Sequence, residues 1–105
     1  IADMATEIEA LRSLVYRTAW MLDTGQMGRD FSTMAAMCKV FGSEVLDRCA
    51  DKCVQIHGGM GYMKDYPVER MYRDARITRI FEGTNEIQRL VIATNIFRKA
   101  GLRLR

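Results

Sequence analysis

The sequence predicts an all-α domain, an antiparallel four-helix bundle. Three observations lead there. Pro67 is the only proline in 105 residues, and the eight glycines gather at a few places, which leaves long stretches free of helix breakers. Apolar residues recur at helical spacing over most of the chain. Eight methionines suit a packed helical core, where the flexible thioether fills irregular gaps. The length allows one domain, residues 1–105, with a modest core. Residue 1 is Ile, already in helical phase, so the chain reads as a piece of a longer protein whose chemistry it would carry only in part.

The first helix shows the clearest pattern. Ile1, Met4, Ala5, Ile8, Leu11, Val15, Ala19 and Leu22 make its stripe, with Asp3, Glu7, Glu9, Arg12 and Arg17 off it. It should end near Asp23-Thr24-Gly25, where glycine takes a left-handed turn readily. Gln26 to Arg29 reads as a polar loop. The second helix is expected to begin near Ser32 or Thr33, either of which suits a cap. Met34, Met37, Cys38, Phe41, Val45, Cys49, Cys53 and Ile56 form one stripe, and Val40, Leu46, Ala50 and Val54 widen it. A helix apolar over more than half its circumference belongs at the centre of a bundle. Gly42 is small enough to let a neighbour approach.

That helix should stop at His57-Gly58-Gly59, followed by a loop over residues 60–66. Pro67 fits the first position of a third helix, with Asp65 upstream as its cap. The third helix is expected to reach Ile80 or Phe81, where Gly83 breaks it. Thr84 then caps a fourth helix, and Glu86 in its first turn suits the helix dipole. Ile87, Leu90, Val91 and Ile96 give that helix an apolar side, and Gly101 ends it. Residues 102–105 read as a basic tail. No internal repeat or low-complexity segment is visible.

Net charge is +3, unevenly spread. Residues 1–57 carry about −2 and residues 58–105 about +5, a difference that more often marks a solvated surface than a polyanion site. Three cysteines, Cys38, Cys49 and Cys53, do not make a secreted disulfide framework and fit a reducing compartment. No apolar run approaches the roughly 18 residues of a membrane span.

Four constellations carry possible chemistry. Glu82 lies at the break between the third and fourth helices, with apolar residues before it and glycine after. A carboxylate there can be desolvated while facing a cleft, which a general base for a weakly acidic C–H bond requires. Cys49, Cys53 and His57 are zinc-ligand types on one helix face, but eight residues of helix separate the outer two by ~12 Å, too far for one ion with bonds of about 2 Å. Gly58, Gly59 and Gly61 follow a helix rather than a strand, so they are not a dinucleotide fingerprint. They are equally well a helix end with a turn, or backbone that a ligand approaches closely. Arg70, Arg73, Arg76 and Arg79 repeat every third residue. Glu69 and Asp74 lie among them, which favours a charged face with local ion pairs over a nucleic-acid stripe.

Residues 55–62 (Gln-Ile-His-Gly-Gly-Met-Gly-Tyr), Tyr66-Pro67-Val68-Glu69-Arg70, Arg73-Asp74-Ala75-Arg76 and residues 81–90 (Phe-Glu-Gly-Thr-Asn-Glu-Ile-Gln-Arg-Leu) closely resemble, in order and spacing, the C-terminal helical domain of acyl-CoA dehydrogenases. Residues 1–54 fit as the preceding helices. Phe81 stands where many relatives have Tyr, and Asn85 where many have Ser. The resemblance implies FAD-dependent α,β-dehydrogenation of an acyl-CoA thioester, with Glu82 as the base that removes the α proton. It implies that the Glu82 backbone N–H and a flavin ribityl hydroxyl steady the thioester enolate. Gly83 matches a position beside the substrate. Thr84, Asn85 and Glu86 match a segment that contacts FAD. Gln55, Ile56, His57, Gly58 and Gly59 match a segment that contacts FAD bound mainly by a neighbouring subunit, which tips the glycines towards function. It further implies a homo-oligomer (dimer or tetramer), an electron-transferring flavoprotein as acceptor, and a bacterial cytoplasm or mitochondrial matrix. A fragment of this length is expected to be inactive alone. The competing readings are a non-catalytic helical interaction domain and a related acyl-CoA oxidase.

Overall fold

The computed structural model describes residues 1–102. They form α1 (Ala2–Asp23), α2 (Arg29–His57), a short 3-10 helix (Gly58–Tyr62), α3 (Val68–Ile77) and α4 (Asn85–Lys99). The all-α, four-helix expectation holds. The end of the basic tail, residues 103–105, lies outside the described residues.

α2 is the hub, as its apolar circumference predicts. α1, α3 and α4 each pack on α2 and, among the described residues, not on one another. The radius of gyration is 16.7 Å, against ~13 Å for a compact domain of this length. The bundle is therefore open, three helices splayed around a fourth. Its buried apolar residues are Met21, Ala36, Val45, Ala50, Val68 and Ala75. Small side chains dominate because the contacts are pairwise between helices rather than around a shared interior. At Gly42 the Leu11 side chain lies over α2, and a Cβ there would sit 3.4 Å from it, an ordinary packing contact.

α1 turns a different face inward than its expected stripe. Met4, Glu7, Leu11, Leu14, Thr18 and Met21 face α2, while Ile1, Ala5, Ile8, Val15, Ala19 and Leu22 are exposed. Polar partners explain the rotation. Glu7 pairs with Arg48 at 3.0 Å, and the Thr18 hydroxyl meets Cys38 Sγ at 3.2 Å. A polar residue with a partner on α2 can face inward, and the second apolar stripe is left open.

Two expected caps differ. α2 begins at Arg29 with Gly28, at φ +121°, in the cap position and no side-chain cap. Thr33 is already inside the helix, its hydroxyl donating to the Arg29 carbonyl at 2.7 Å. Asp65 does not cap α3. Pro67 immediately precedes that helix, and its carbonyl accepts from the Met71 N–H at 3.0 Å. α3 also stops at Ile77, three residues short of the earlier expected end. Thr78 is the reason: its hydroxyl and its N–H both turn back onto the Ala75 carbonyl, at 2.7 and 3.1 Å, which tightens the last turn and ends the α pattern.

Candidate functional site

The stretch from Thr78 to Asn85 is where the fold presents a carboxylate. The N–H groups of Ile80 and Phe81 both donate to the Ile77 carbonyl, at 2.9 and 3.1 Å. The chain then reverses through two left-handed residues in succession, Glu82 at φ +52° and Gly83 at φ +90°. Glu82 is the only non-glycine residue with positive φ among the described residues. That conformation costs a non-glycine residue on the order of 1–3 kcal/mol and survives only where the surroundings enforce it. Thr84 caps α4 as expected, its hydroxyl accepting from the Ile87 N–H at 3.3 Å.

Glu82 lines a pocket of about 310 Å³ with Lys39, Gly42, Ser43, Leu46, Thr78 and Phe81. The break and the pocket are both where the sequence puts them. The shielding is not: Glu82 is exposed to solvent here, because α2 covers one side of the turn and no other helix crosses it. Among the described residues the Glu82 N–H makes no hydrogen bond, so a backbone donor stands free beside the carboxylate. Gly83 is favoured by its φ of +90°. A Cβ there would also lie 2.6 Å from Gln88 Nε2, the end of a flexible side chain that would have to move.

Asn85 is the most deeply buried large side chain, at 1 % exposure. Its Oδ1 accepts from Lys39 Nζ at 2.7 Å, and its Nδ2 donates to Ser43 Oγ at 2.9 Å and Glu44 Oε1 at 3.4 Å. The side chain is committed to α2, which does not fit the expected cofactor contact at this position. Thr84 is half-buried and Glu86 is exposed, so both remain accessible. The Glu86 carboxyl is held below its ordinary range by its own backbone N–H and then by the Thr84 hydroxyl.

The second predicted segment lies at the far end of α2. Gln55, Ile56, His57, Gly58 and Gly59 are all exposed. His57 Nδ1 bonds the Cys53 carbonyl at 2.8 Å, and its ring stands 5.9 Å from that of Tyr66. The glycines have different reasons. Gly61 is packed, since a Cβ would be 2.7 Å from the Val54 carbonyl oxygen. Gly58 needs its φ of +59°. Only Gly59 is free of both demands, with nothing within 4 Å of a Cβ. Ser43, in the Glu82 pocket, and His57 are separated by fourteen residues of α2, about 21 Å. The structure does not bring the two segments together.

Other groups complete the picture. A larger pocket of about 650 Å³, walled by Asp51, Tyr62, Lys64, Glu69, Tyr72 and Arg73 among others, contains none of the predicted site residues. Its Arg73–Glu69 pair, at 3.0 Å, is the local ion pairing expected of the arginine row, and Arg79 bonds Asp47 at 3.2 Å. All three cysteines are free thiols, and burial pushes the Cys49 thiol above its ordinary range. The sequence reading missed Lys39, Ser43 and Asp47 as partners of the 79–85 turn. Their signal was available: three polar residues at i, i+4 and i+8 form a polar row beside the apolar stripe of α2.

Comparison with known proteins matches residues 1–97 to the family described as acyl-CoA dehydrogenase, C-terminal domain. The chain is 51 % identical over 100 residues to cyclohexane-1-carbonyl-CoA dehydrogenase of Geobacter metallireducens, covering 95 % of this chain and 26 % of that protein. It is 46 % identical over 99 residues to subunit CarC of the caffeyl-CoA reductase-Etf complex of Acetobacterium woodii, covering 94 % and 25 %. An acyl-CoA dehydrogenase from Bacillus anthracis, solved in complex with FAD, superposes with a TM-score of 0.84 at 43 % identity over 95 % of this chain and 20 % of that one. The chain thus spans about a quarter of the length of the curated relatives it matches.

Proposed function

The chain belongs to the acyl-CoA dehydrogenase family through its C-terminal domain, and from that premise we propose that it supplies the proton-transfer half of a flavin-dependent enzyme interconverting saturated and α,β-unsaturated acyl-CoA thioesters. The observation that carries the reading is the helix break at Glu82. A carboxylate is held there in a left-handed turn, over a pocket, beside an unengaged N–H.

Glu82 takes the α proton onto its carboxylate. As that proton leaves, negative charge builds on the thioester oxygen, and the free Glu82 N–H is a donor at the right element to receive it. Gly83 keeps a side chain away from the same edge. In the reverse direction, the one for which the caffeyl-CoA relative is named, the protonated carboxyl returns the proton to the α carbon. With Glu82 exposed in this chain, the reading requires other parts of a longer protein to close the pocket and exclude water.

The residues present fit an FAD requirement. Gly59 offers backbone that nothing obstructs, and the first turn of α4 presents Thr84 and Glu86. Bound flavin supplies the hydride acceptor for the β hydrogen. The ~21 Å along α2 between the two segments favours their serving two different cofactor sites, one in each of two subunits, and hence a homo-oligomer. The Etf-complex relative supports an electron-transferring flavoprotein as partner. Free thiols support a reducing compartment, bacterial cytoplasm or mitochondrial matrix. No described helix is long and apolar enough to cross a membrane. The reading is tested by adding an acyl-CoA to the full-length protein and following flavin absorbance, with Glu82→Gln beside the unsubstituted enzyme.

A further inference from the structure

We propose that Asn85, gripped by Lys39 and Ser43, is a positioning residue that sets where the Glu82 carboxylate stands; the inference rests on the reading of Glu82 as the base.

The argument starts from an oddity of burial. In a chain with many exposed large apolar side chains, the most deeply buried large one is a polar amide at the first position of α4. A buried amide must find partners, and Asn85 finds all of them on one helix. Lys39 Nζ donates to its Oδ1 at 2.7 Å, and its Nδ2 reaches Ser43 Oγ at 2.9 Å and Glu44 Oε1 at 3.4 Å. Its backbone is also engaged, the N–H donating to the Arg79 carbonyl at 3.1 Å. Residue 85 thus ties both ends of the 79–85 turn together and ties the turn to α2.

Glu82 sits in the middle of that turn in a conformation it would not choose freely. Something must hold it there, and the local backbone supplies only the Asn85–Arg79 bond that closes the turn: among the described residues neither Glu82 nor Gly83 has a hydrogen-bonded N–H. α3 has already ended at Ile77. The nearest fixed points are the ends of the turn, and Asn85 anchors one of them. Lys39 and Ser43 line the same pocket as Glu82, so the anchor and the carboxylate share a wall. Lys39 forms no ion pair with a carboxylate among the described residues, and its recorded polar contact is the amide of Asn85. An ammonium spent on a neutral amide makes sense as a placement device. A misplacement of about 1 Å at a reacting group costs on the order of 10²-fold in rate.

The experiment uses the full-length, FAD-loaded protein with Asn85→Ala, Asn85→Ser, Lys39→Met and Glu82→Gln. Hydrogen exchange is followed peptide by peptide, and flavin bleaching is timed at saturating butyryl-CoA and cyclohexane-1-carbonyl-CoA. We expect Asn85→Ala and Lys39→Met to raise exchange within residues 78–85 while α1 and the far end of α2 stay protected. We expect bleaching to slow by about 10–100-fold at saturating substrate, with FAD content and half-saturating concentration within about 2-fold of the parent. Asn85→Ser keeps a hydroxyl for Lys39 and should stay within about 3-fold. Unchanged exchange in residues 78–85, or a rate loss that only tracks lost FAD, overturns the proposal and leaves the role of Glu82 standing if Glu82→Gln is slow. If Glu82→Gln bleaches normally, the base assignment fails and this inference fails with it. Should Asn85→Ala not fold, Lys39→Met decides, since Lys39 is half-exposed and Met keeps most of its length.

Discussion

The backbone N–H of Asn85 donates to the carbonyl of Arg79 at 3.1 Å, closing the turn that carries Glu82 at its middle. Arg79 is itself held to α2 through Asp47, so both partners of this bond are anchored to the hub. The turn is a clip fastened at two ends, with the carboxylate and a free N–H at its apex.

Gly83 is the residue this clip tolerates changing least. Alanine at φ +90° costs about 1–2 kcal/mol on backbone grounds, and its Cβ would also push Gln88. Thermal unfolding of full-length Gly83→Ala should show a lower midpoint. Adding Gln88→Ala should recover only the contact part. A Gly83→Ala protein as stable as its parent would show that the left-handed geometry is not enforced.

Thr84 acts on the other side of the apex. Loss of its cap in Thr84→Ala should cost about 1 kcal/mol. Local hydrogen exchange in the first turn of α4 should rise about fivefold, and Thr84→Ser should restore protection. Equal exchange in both variants would mean that the 3.3 Å bond to Ile87 contributes nothing.

Glu44 gives the joint a pH dependence. A hydrogen bond from Arg89 is the main influence holding its carboxyl below the ordinary range; burial pushes the other way, and the Arg89 charge and the Asn85 amide add to the lowering. A carboxyl with a lowered folded value stabilises the fold above its unfolded value of ~4.3, and that contribution disappears as pH falls through the folded value. Stability measured from pH 6 down to pH 3 should therefore decline less steeply in Glu44→Gln than in the parent. Parallel curves would remove Glu44 from the acid response.

The open faces make a prediction for the chain by itself. Ile8, Val15 and Leu22 on α1 and Ile87 and Leu90 on α4 are all more than 40 % exposed, an apolar surface of the kind that drives association. Sedimentation should show concentration-dependent self-association, reduced by Val15→Glu with helical content unchanged. A monomer at all concentrations would contradict this.

Much of the architecture was legible in the sequence, for reasons that particular residues make plain. α2 announces its central place because 15 of the 21 positions from Met34 to Val54 are apolar or small. The break at Glu82 is legible because Gly83 and Thr84 stop one helix and start the next. The inward face of α1 was not, because Glu7 and Thr18 pack inward through partners 41 and 20 residues away, and one-dimensional spacing counts them as surface. The early stop of α3 was hidden for a similar reason: Thr78 competes for a backbone carbonyl, which an apolar pattern does not register. Asn85 shows the limit of resemblance. Its neighbours in sequence suggested a cofactor contact, while its partners in space, Lys39 and Ser43, lie on a helix about forty residues upstream.

The central claim is that Glu82 moves the α proton, and rapid-mixing absorbance of the full-length flavoprotein tests it most directly. With acyl-CoA in excess, the parent should bleach its flavin band, and Glu82→Gln should do so slower by on the order of 10²–10⁴-fold with substrate still bound. Bleaching at the parental rate in Glu82→Gln would contradict the account.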